Sequence, residues 1–472
     1  MNRRQLIQSS LAASSAVFCP TIASAAPASH ATGAKQIAPK EDEVSRIPRF
    51  GDGRDWFFEK RFGMFVHWGL YAIPGWHEQH QWRGRVDRAE YGALAQQWNP
   101  TKFDPEKWLD LLEDAGMRYL TVTAKHHDGF CLFESKLTTF HSVNTPYKKD
   151  IIGMLAEACQ KRKLPLCLYY SIADWHHPNY PNAGRHHELP GPLPGDNPNW
   201  ELYMEYLKGQ VRELCTQYGT IHGIWWDMNV PEHHDPSINA MIRQLQPLAV
   251  INDRGFDKGD FGTPERDYAK DDARAFTKRV EANQSVGQES WGYRGDEDYY
   301  TAGHLIRSID RYLARGANYL LNVSPMGDGT LNAENRTSLS KIGEWMRQTG
   351  EAHFGTEPAS HLSSNRNVLL TRRGKSLYVH MNPEPITNAV KLNPFTELPK
   401  SAVLLNNSKS YPTANNLCPM DHSSRIGYLR VRQLPAADLL DTVGVLKLDF
   451  DDDIESVAKR TKAVAADPVL IR

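Results

Sequence analysis

The sequence predicts an α/β protein: a (β/α)8-like, TIM-type barrel followed by a small C-terminal antiparallel β-sandwich. Three observations carry that expectation. Between about residues 48 and 354, short apolar runs alternate with amphipathic ones, the texture of βα units wound around a parallel sheet. Polar side chains collect where the apolar runs end and not where they begin. Beyond residue 354 the helical periodicity stops, and short alternating segments with polar turns take over.

The elements follow in order. "FGMFVHWGL" (62–70) reads as the first strand. "FDPEKWLDLLEDAG" (103–116) reads as a helix, with Asp104 as N-cap, Pro105 in the first turn and Gly116 as its stop. "MRYLTVTA" (117–124) is a strand, "DIIGMLAEACQKRK" (150–163) a helix and "LPLCLYYS" (164–171) a strand. "NWELYMEYLKGQVRELCTQYG" (199–219) and "IHGIWWD" (221–227) repeat the unit, as do "PSINAMIRQLQ" (236–246) and "LAVIND" (248–253). "TAGHLIRSIDRYLARG" (301–316), "ANYLLNV" (317–323) and the helix opening at 333 close the series. A doubly wound open sheet is the structural rival, but no glycine-rich phosphate loop follows the first strand. "RNVLLTRRGKSLYVHMN", "SAVLLNNSK", "RIGYLRVRQL" and "VGVLKLDF" predict the sandwich over 355–450, with 451–472 as a peripheral tail.

The ends of the chain and its composition narrow the setting. "MNRRQLIQSS", an apolar run and "TIASAA" predict a signal peptide over 1–26, twin-arginine-like in its Arg3-Arg4 pair, with an ordinary Sec signal as the alternative, and a flexible leader over 27–47. That pattern implies export to the periplasm or the medium. With 55 Lys+Arg against 56 Asp+Glu, the chain has no charge excess to attract nucleic acid. The apolar run of the signal is too short to span a membrane. Once Cys19 leaves with the signal, Cys131, Cys159, Cys167, Cys215 and Cys418 remain, and most read as buried free thiols. Twelve Trp and 19 Tyr supply flat faces that suit sugar rings, although most such residues are core.

In a barrel, function sits at the C-terminal strand ends. Those ends carry His67, then His126, His127 and Asp128, then Asp174 and His176, then Asp227, then Asn252 to Arg254. Asp227 follows two tryptophans on a strand that should be buried, where a carboxylate needs a partner or a purpose. It is either a capping residue or a nucleophile in a pocket walled by Trp225 or Trp226. Retaining glycoside hydrolysis needs a second carboxylate. Glu265, Glu281 and Glu289 are in range, and the Gly/Pro/Asp-rich stretch 255–265 reads as a loop over the barrel mouth.

"FGMFVHWGLYAIPGW", "YLTVTAKHHDGFCLFES", "YYSIADWHHP", "GIWWD", "INDR", "ESWGY" and "NYLLNVSPMGDG" resemble, in order, the blocks of the α-L-fucosidases of glycoside hydrolase family 29. The resemblance covers about residues 50–350. It implies a retaining exo-acting enzyme on an α/β barrel that takes terminal α-L-fucosyl residues from oligosaccharides or glycoconjugates and uses no metal or other cofactor. Carried over, Asp227 is the nucleophile, and the acid/base is Glu265 or, as the alternative, Glu281. His67, His126, His127, Tyr170, Trp225, Arg254 and Trp291 match substrate-contacting positions. The family's Glu-Trp pair after the first strand aligns with Gln81-Trp82, so the expected hydroxyl contact here lacks a charge. "NVSP" stands where the family has "NVGP", putting Ser324 in a turn.

Two other functions are consistent with parts of the text. Adjacent histidines on a barrel rim suit a metal-dependent hydrolase, but "HWG" after the first strand supplies no His-x-His partner. A non-catalytic carbohydrate-binding protein would not need Asp227 and the glutamates. Neutral imidazoles, which donate from one nitrogen and accept at the other, match a neutral, hydroxyl-rich sugar. The Pro-, Gly- and His-rich stretch 176–198 reads as a substrate-side loop.

Overall fold

The computed structural model describes residues 47–228, 235–266, 275–382, 385, 387–417 and 427–460. The signal peptide, nearly all of the leader, Cys418 and the end of the tail lie outside the described residues.

Seven parallel strands form the barrel wall: β1 (Phe62–Val66), β2 (Leu120–Lys125), β3 (Leu166–Ser171), β4 (Gly223–Asp227), β5 (Val250–Ile251), β6 (Glu281–Ser285) and β7 (Asn318–Val323). Their spatial order is β5-β4-β3-β2-β1-β7-β6. A short segment joins the two edges. Asn252 bridges Phe261, Gly262 bridges Val280, and Glu265 bridges Asn283, all in parallel. Residues 261–265 are therefore a stave of the wall and not the free loop that their Gly/Pro/Asp texture predicts. The closed ring disposes of the open-sheet rival.

The helices begin where their caps predict. The Asp104 carboxylate accepts from Glu106 N at 3.1 Å, and Pro105–Asp114 follows. Asp150 caps Ile151–Arg162 through Gly153 N at 2.7 Å. Asn199 caps Trp200–Gln217, and Thr301 caps Ala302–Ala314. These contacts fill orphan N–H groups of each first turn.

Strand alternation sorts side chains into two cores. Phe65, Tyr119, Cys167, Tyr169, Trp225 and Leu320 pack together inside the ring. Met64, Leu168, Tyr170, Trp226 and Leu321 face outward into the layer shared with the helices. Gly63 is required by close approach, because a Cβ there would lie 2.5 Å from the Tyr119 ring. Cys131, Cys159, Cys167 and Cys215 are buried free thiols, as expected.

The C-terminal part holds β8 (Glu357–Pro358), β9 (Leu369–Arg373), β10 (Ser376–Met381), β11 (Val390–Leu392), β12 (Ser401–Leu404), β13 (Lys409–Ser410), β14 (Thr413–Leu417), β15 (Gly427–Val431) and β16 (Gly444–Asp449). They form a six-stranded sheet, β13-β12-β16-β10-β9-β8, and a three-stranded sheet, β11-β15-β14. Their pairings are antiparallel. Side chains of both sheets share one core, including Leu377, Val379, Leu392 and Leu429. The sandwich runs past its expected end at 450: a helix, Ile454–Lys459, packs Ile454 and Val457 into that core. The peripheral tail therefore does not begin at 451.

Candidate active site

A cavity of about 360 Å³ opens at the C-terminal ends of the barrel strands, with room for one pyranose ring. Its lining includes Asp227, which ends β4. Asp227 Oδ2 accepts from the Tyr169 hydroxyl at 2.7 Å, and Oδ1 accepts from Arg254 Nη1 at 3.1 Å. His127 Nε2 lies 3.7 Å from Oδ2. Burial would push the Asp227 carboxyl up, but Arg254, His127 and the Tyr169 hydroxyl act the other way. The balance lies below the ordinary aspartate value, so the group is ionised at neutral pH.

Arg254 also reaches the second carboxylate, with Nη2 2.8 Å from Glu265 Oε2. One guanidinium thus holds both carboxylates at the same cavity. Its other contacts, Nε to Thr263 Oγ1 at 2.8 Å and Nη2 to Thr263 O at 3.1 Å, pin it to the closing stave. The Glu265 side chain is 38% exposed and that of Asp227 is 19% exposed. Glu265 faces solvent, where a leaving group would sit, and Asp227 lies deeper.

Glu281 is elsewhere. It opens β6 at the far end of the ring and does not line the cavity. Its Oε2 accepts from Tyr119 OH at 2.7 Å and its Oε1 from Trp225 Nε1 at 3.1 Å. Burial raises its carboxyl to about 7, against the lowering effect of those two donors. The Trp225 ring stands between Glu281 and the cavity, so Glu281, expected as the alternative acid/base, is placed away from the cavity that holds Asp227 and Glu265. Glu289 does not line the cavity either.

His67, His126 and His127 all line the cavity. His127 Nδ1 lies 2.6 Å from Ser171 Oγ, whose own hydrogen goes to Ala173 O at 2.8 Å. His127 Nδ1 is therefore the donor, and Nε2 carries the lone pair. Likewise His67 Nδ1 donates to Asn322 Oδ1 at 2.7 Å, because the Asn322 amide nitrogen is engaged with Ser285 Oγ and Trp291 O. Burial lowers His67, lowers His126 well below the ordinary histidine value, and lowers His127 to about 4. All three are neutral at neutral pH. The turn Asp128-Gly129 makes the adjacent pair usable. Gly129, at φ +80°, lets the chain fold back so that its N–H bonds His126 O at 3.1 Å.

One expected substrate position is shifted by strand parity. Tyr170 points outward, its hydroxyl donating to Gln210 Oε1 at 2.6 Å. Tyr169 lines the cavity instead, with its ring parallel to both His126 and Trp225. The pairing Tyr169↔Trp225 and Ser171↔Asp227 puts these residues on one face. That parity was the available signal for Tyr169.

Gln81 and Trp82 do not line the cavity either. Gln81 is buried, and its Nε2 has no hydrogen-bond partner among the described residues. Trp82 stands edge-on to His187 and donates from Nε1 to Glu188 O at 2.5 Å. Glu78 takes the expected place on the wall. Its Oε2 accepts from Ser290 Oγ at 2.7 Å, Trp291 N at 2.9 Å and Gly292 N at 3.2 Å, which fixes the loop carrying Trp291. Trp291 lines the cavity as expected, and so do His186 and His187 from the loop read as substrate-side. Among the described residues, the grouping of three His or carboxylate ligand atoms lies away from this cavity, at Asp310, His353 and His380.

Comparison with known proteins agrees with this geometry. A family model described as Alpha-L-fucosidase matches residues 31–351. The chain is 28% identical over 368 residues to the tissue α-L-fucosidase of Rattus norvegicus, covering 71% of this chain and 78% of that one. Its fold is similar to that of α-L-fucosidase isoenzyme 1 from Paenibacillus thiaminolyticus, with a TM-score of 0.76, 32% identity, and coverage of 85% of this chain and 100% of that chain. A family 29 α-L-fucosidase from Bacteroides thetaiotaomicron, solved as a trapped covalent intermediate, matches with a TM-score of 0.72 and 25% identity over 86% of this chain and 97% of that chain. On the family match and the fold together, this chain belongs to the α-L-fucosidase family, glycoside hydrolase family 29.

Proposed function

We propose that this chain is a retaining exo-α-L-fucosidase in which Asp227 is the nucleophile and Glu265 the acid/base. The observation that carries the reading is the sharing of Arg254 by these two carboxylates at one cavity. A retaining pair needs a carboxyl separation of roughly 5 Å, a spacing that a shared guanidinium suits. Asp227, ionised, attacks the anomeric carbon as Glu265 gives its proton to the departing glycosidic oxygen. Glu265 then takes a proton from water, and the resulting nucleophile cleaves the fucosyl–Asp227 ester.

The rest of the wall suits a neutral deoxysugar. The lone pairs of His67 and His127 accept from sugar hydroxyls, and Phe65, Trp225 and Trp291 offer apolar faces to the ring and its methyl group. A fucosylated oligosaccharide or glycoconjugate is the substrate. The opening 26 residues further support export to the periplasm or medium, which N-terminal sequencing of the mature protein would check.

The test combines trapping with rescue. A 2-deoxy-2-fluoro-fucosyl donor should label Asp227, identified by peptide mass mapping. Asp227→Gly should lose several orders of magnitude in turnover of an aryl fucoside, and added azide should restore part of it as a β-fucosyl azide. Label on another carboxylate, or near-normal activity in Asp227→Gly, would overturn the assignment.

A further inference from the structure

We propose that Asp310, His353 and His380 form a structural site for a divalent first-row metal ion, with zinc the best match, at the seam between barrel and sandwich. Asp310 lies on the helix Ala302–Ala314, His353 follows the helix Ala333–Thr349, and His380 is on β10. All three are fully buried, and their ligand atoms lie within 4.8 Å of one another. None of them lines the sugar cavity.

The hydrogen-bond pattern points to an ion. Asp310 Oδ1 faces His353 Nε2 at 2.8 Å and His380 Nδ1 at 2.6 Å. The other nitrogens face oxygen too. His353 Nδ1 is 3.2 Å from Thr349 O. His380 Nε2 is 2.9 Å from Thr371 Oγ1, whose own hydrogen goes to Ala352 O at 2.8 Å. Every ring nitrogen of the pair thus meets an acceptor, yet a neutral imidazole carries one N–H. An ion at the point of convergence resolves the shortage. Each ring then turns its N–H outward, to Thr349 O or Thr371 Oγ1, and its lone pair inward.

That outward N–H to a fixed oxygen is the second layer that metal-bound histidines carry. Asp310 has its own support: Asn382 Nδ2 donates to Oδ2 at 2.9 Å and to Arg307 O at 2.9 Å. The Asn382 Oδ1 atom is buried without a hydrogen-bond partner among the described residues, a further polar atom at the same seam. Two imidazoles and a carboxylate are borderline ligands of the kind that suit Zn²⁺. Tetrahedral zinc would hold its ligand atoms about 3.3 Å apart, so the inward contacts of 2.8 and 2.6 Å need to open by about 0.5 and 0.7 Å.

The site would be loaded during folding, since no ligand atom is exposed, and would tie the sandwich to the barrel. The test uses untagged full-length protein refolded from denaturant with Zn²⁺, with Co²⁺, or with a chelator. The expected results are about one metal ion per chain by elemental analysis, visible d–d absorption with Co²⁺, and a Tm several degrees lower in the chelator-refolded protein. His353→Gln and His380→Gln should each lose the metal. A metal-free wild-type protein whose Tm ignores zinc, or metal retained in both variants, would overturn the proposal. If a variant fails to fold, the Co²⁺ spectrum of refolded wild type decides alone.

Discussion

Arg254 Nη1 donates to Asp227 Oδ1 at 3.1 Å, and this contact is the main force acting against burial to keep the Asp227 carboxylate ionised. Removing it raises the Asp227 pKa, and a protonated Asp227 cannot attack. Arg254→Met should therefore move the acidic limb of kcat/KM to higher pH and lower its plateau. A pH profile with the limb in its wild-type place would show that Arg254 does not set this ionisation.

Leaving-group dependence separates Glu265 from Glu281. An aryl fucoside with an acidic phenol hardly needs protonation, whereas a fucosyl disaccharide does. Glu265→Gln should lose roughly 100-fold or more on the disaccharide and far less on the aryl fucoside. Glu281→Gln should affect both substrates alike. The reverse pattern would move the acid role to Glu281 despite its place behind Trp225.

Glu281 should instead appear in stability. Its folded-state carboxyl is raised from an ordinary 4.5 to about 7, so the folded chain keeps a proton that the unfolded chain releases. Stability then falls as pH rises from 4.5 to about 7, by on the order of 3 kcal/mol from this group, and levels off above. Glu281→Gln should remove that slope. Denaturant melts of both proteins at pH 5 and pH 8 check it. Equal pH dependence would place the Glu281 proton elsewhere.

Tyr169 and Tyr170 offer a matched pair. Tyr169→Phe deletes the hydroxyl that bonds Asp227, and should reduce kcat and shift the acidic limb upward. Tyr170→Phe deletes a bond to Gln210 away from the cavity, and should cost about 1 kcal/mol of stability with kinetics unchanged. Steady-state kinetics and thermal melts on both variants give the answer.

Glu78 and Gln81 differ in the same way. Glu78→Gln should raise KM for fucosides, because it weakens the anchor of the Trp291 loop. Gln81→Glu should leave KM unchanged and lower Tm, since it buries an unpaired carboxylate. A tighter KM in Gln81→Glu would return that position to the sugar.

The sequence by itself determined the order and type of most elements, because helix periodicity, capping residues and strand hydrophobicity act over a few neighbours. Asp104, Asp150, Asn199 and Thr301 cap their own helices, so local text suffices. It also located the rim, since polar residues recur at strand ends, and it singled out Asp227 by the cost of a buried carboxylate. Only the tertiary structure decided which of two neighbours faces the sugar. A one-residue step along a strand reverses the side chain, which moved the role from Tyr170 to Tyr169. Residues 255–265 read as loop because pairing with Asn252 and Asn283 brings together segments that share no local signal. The same is true of the two glutamates: Glu265 and Glu281 look alike in text, and only closure of the ring puts Arg254 beside one and Trp225 in front of the other. Propensity is local, whereas a site is made by contacts between distant segments, whose geometry depends on how the whole wall closes.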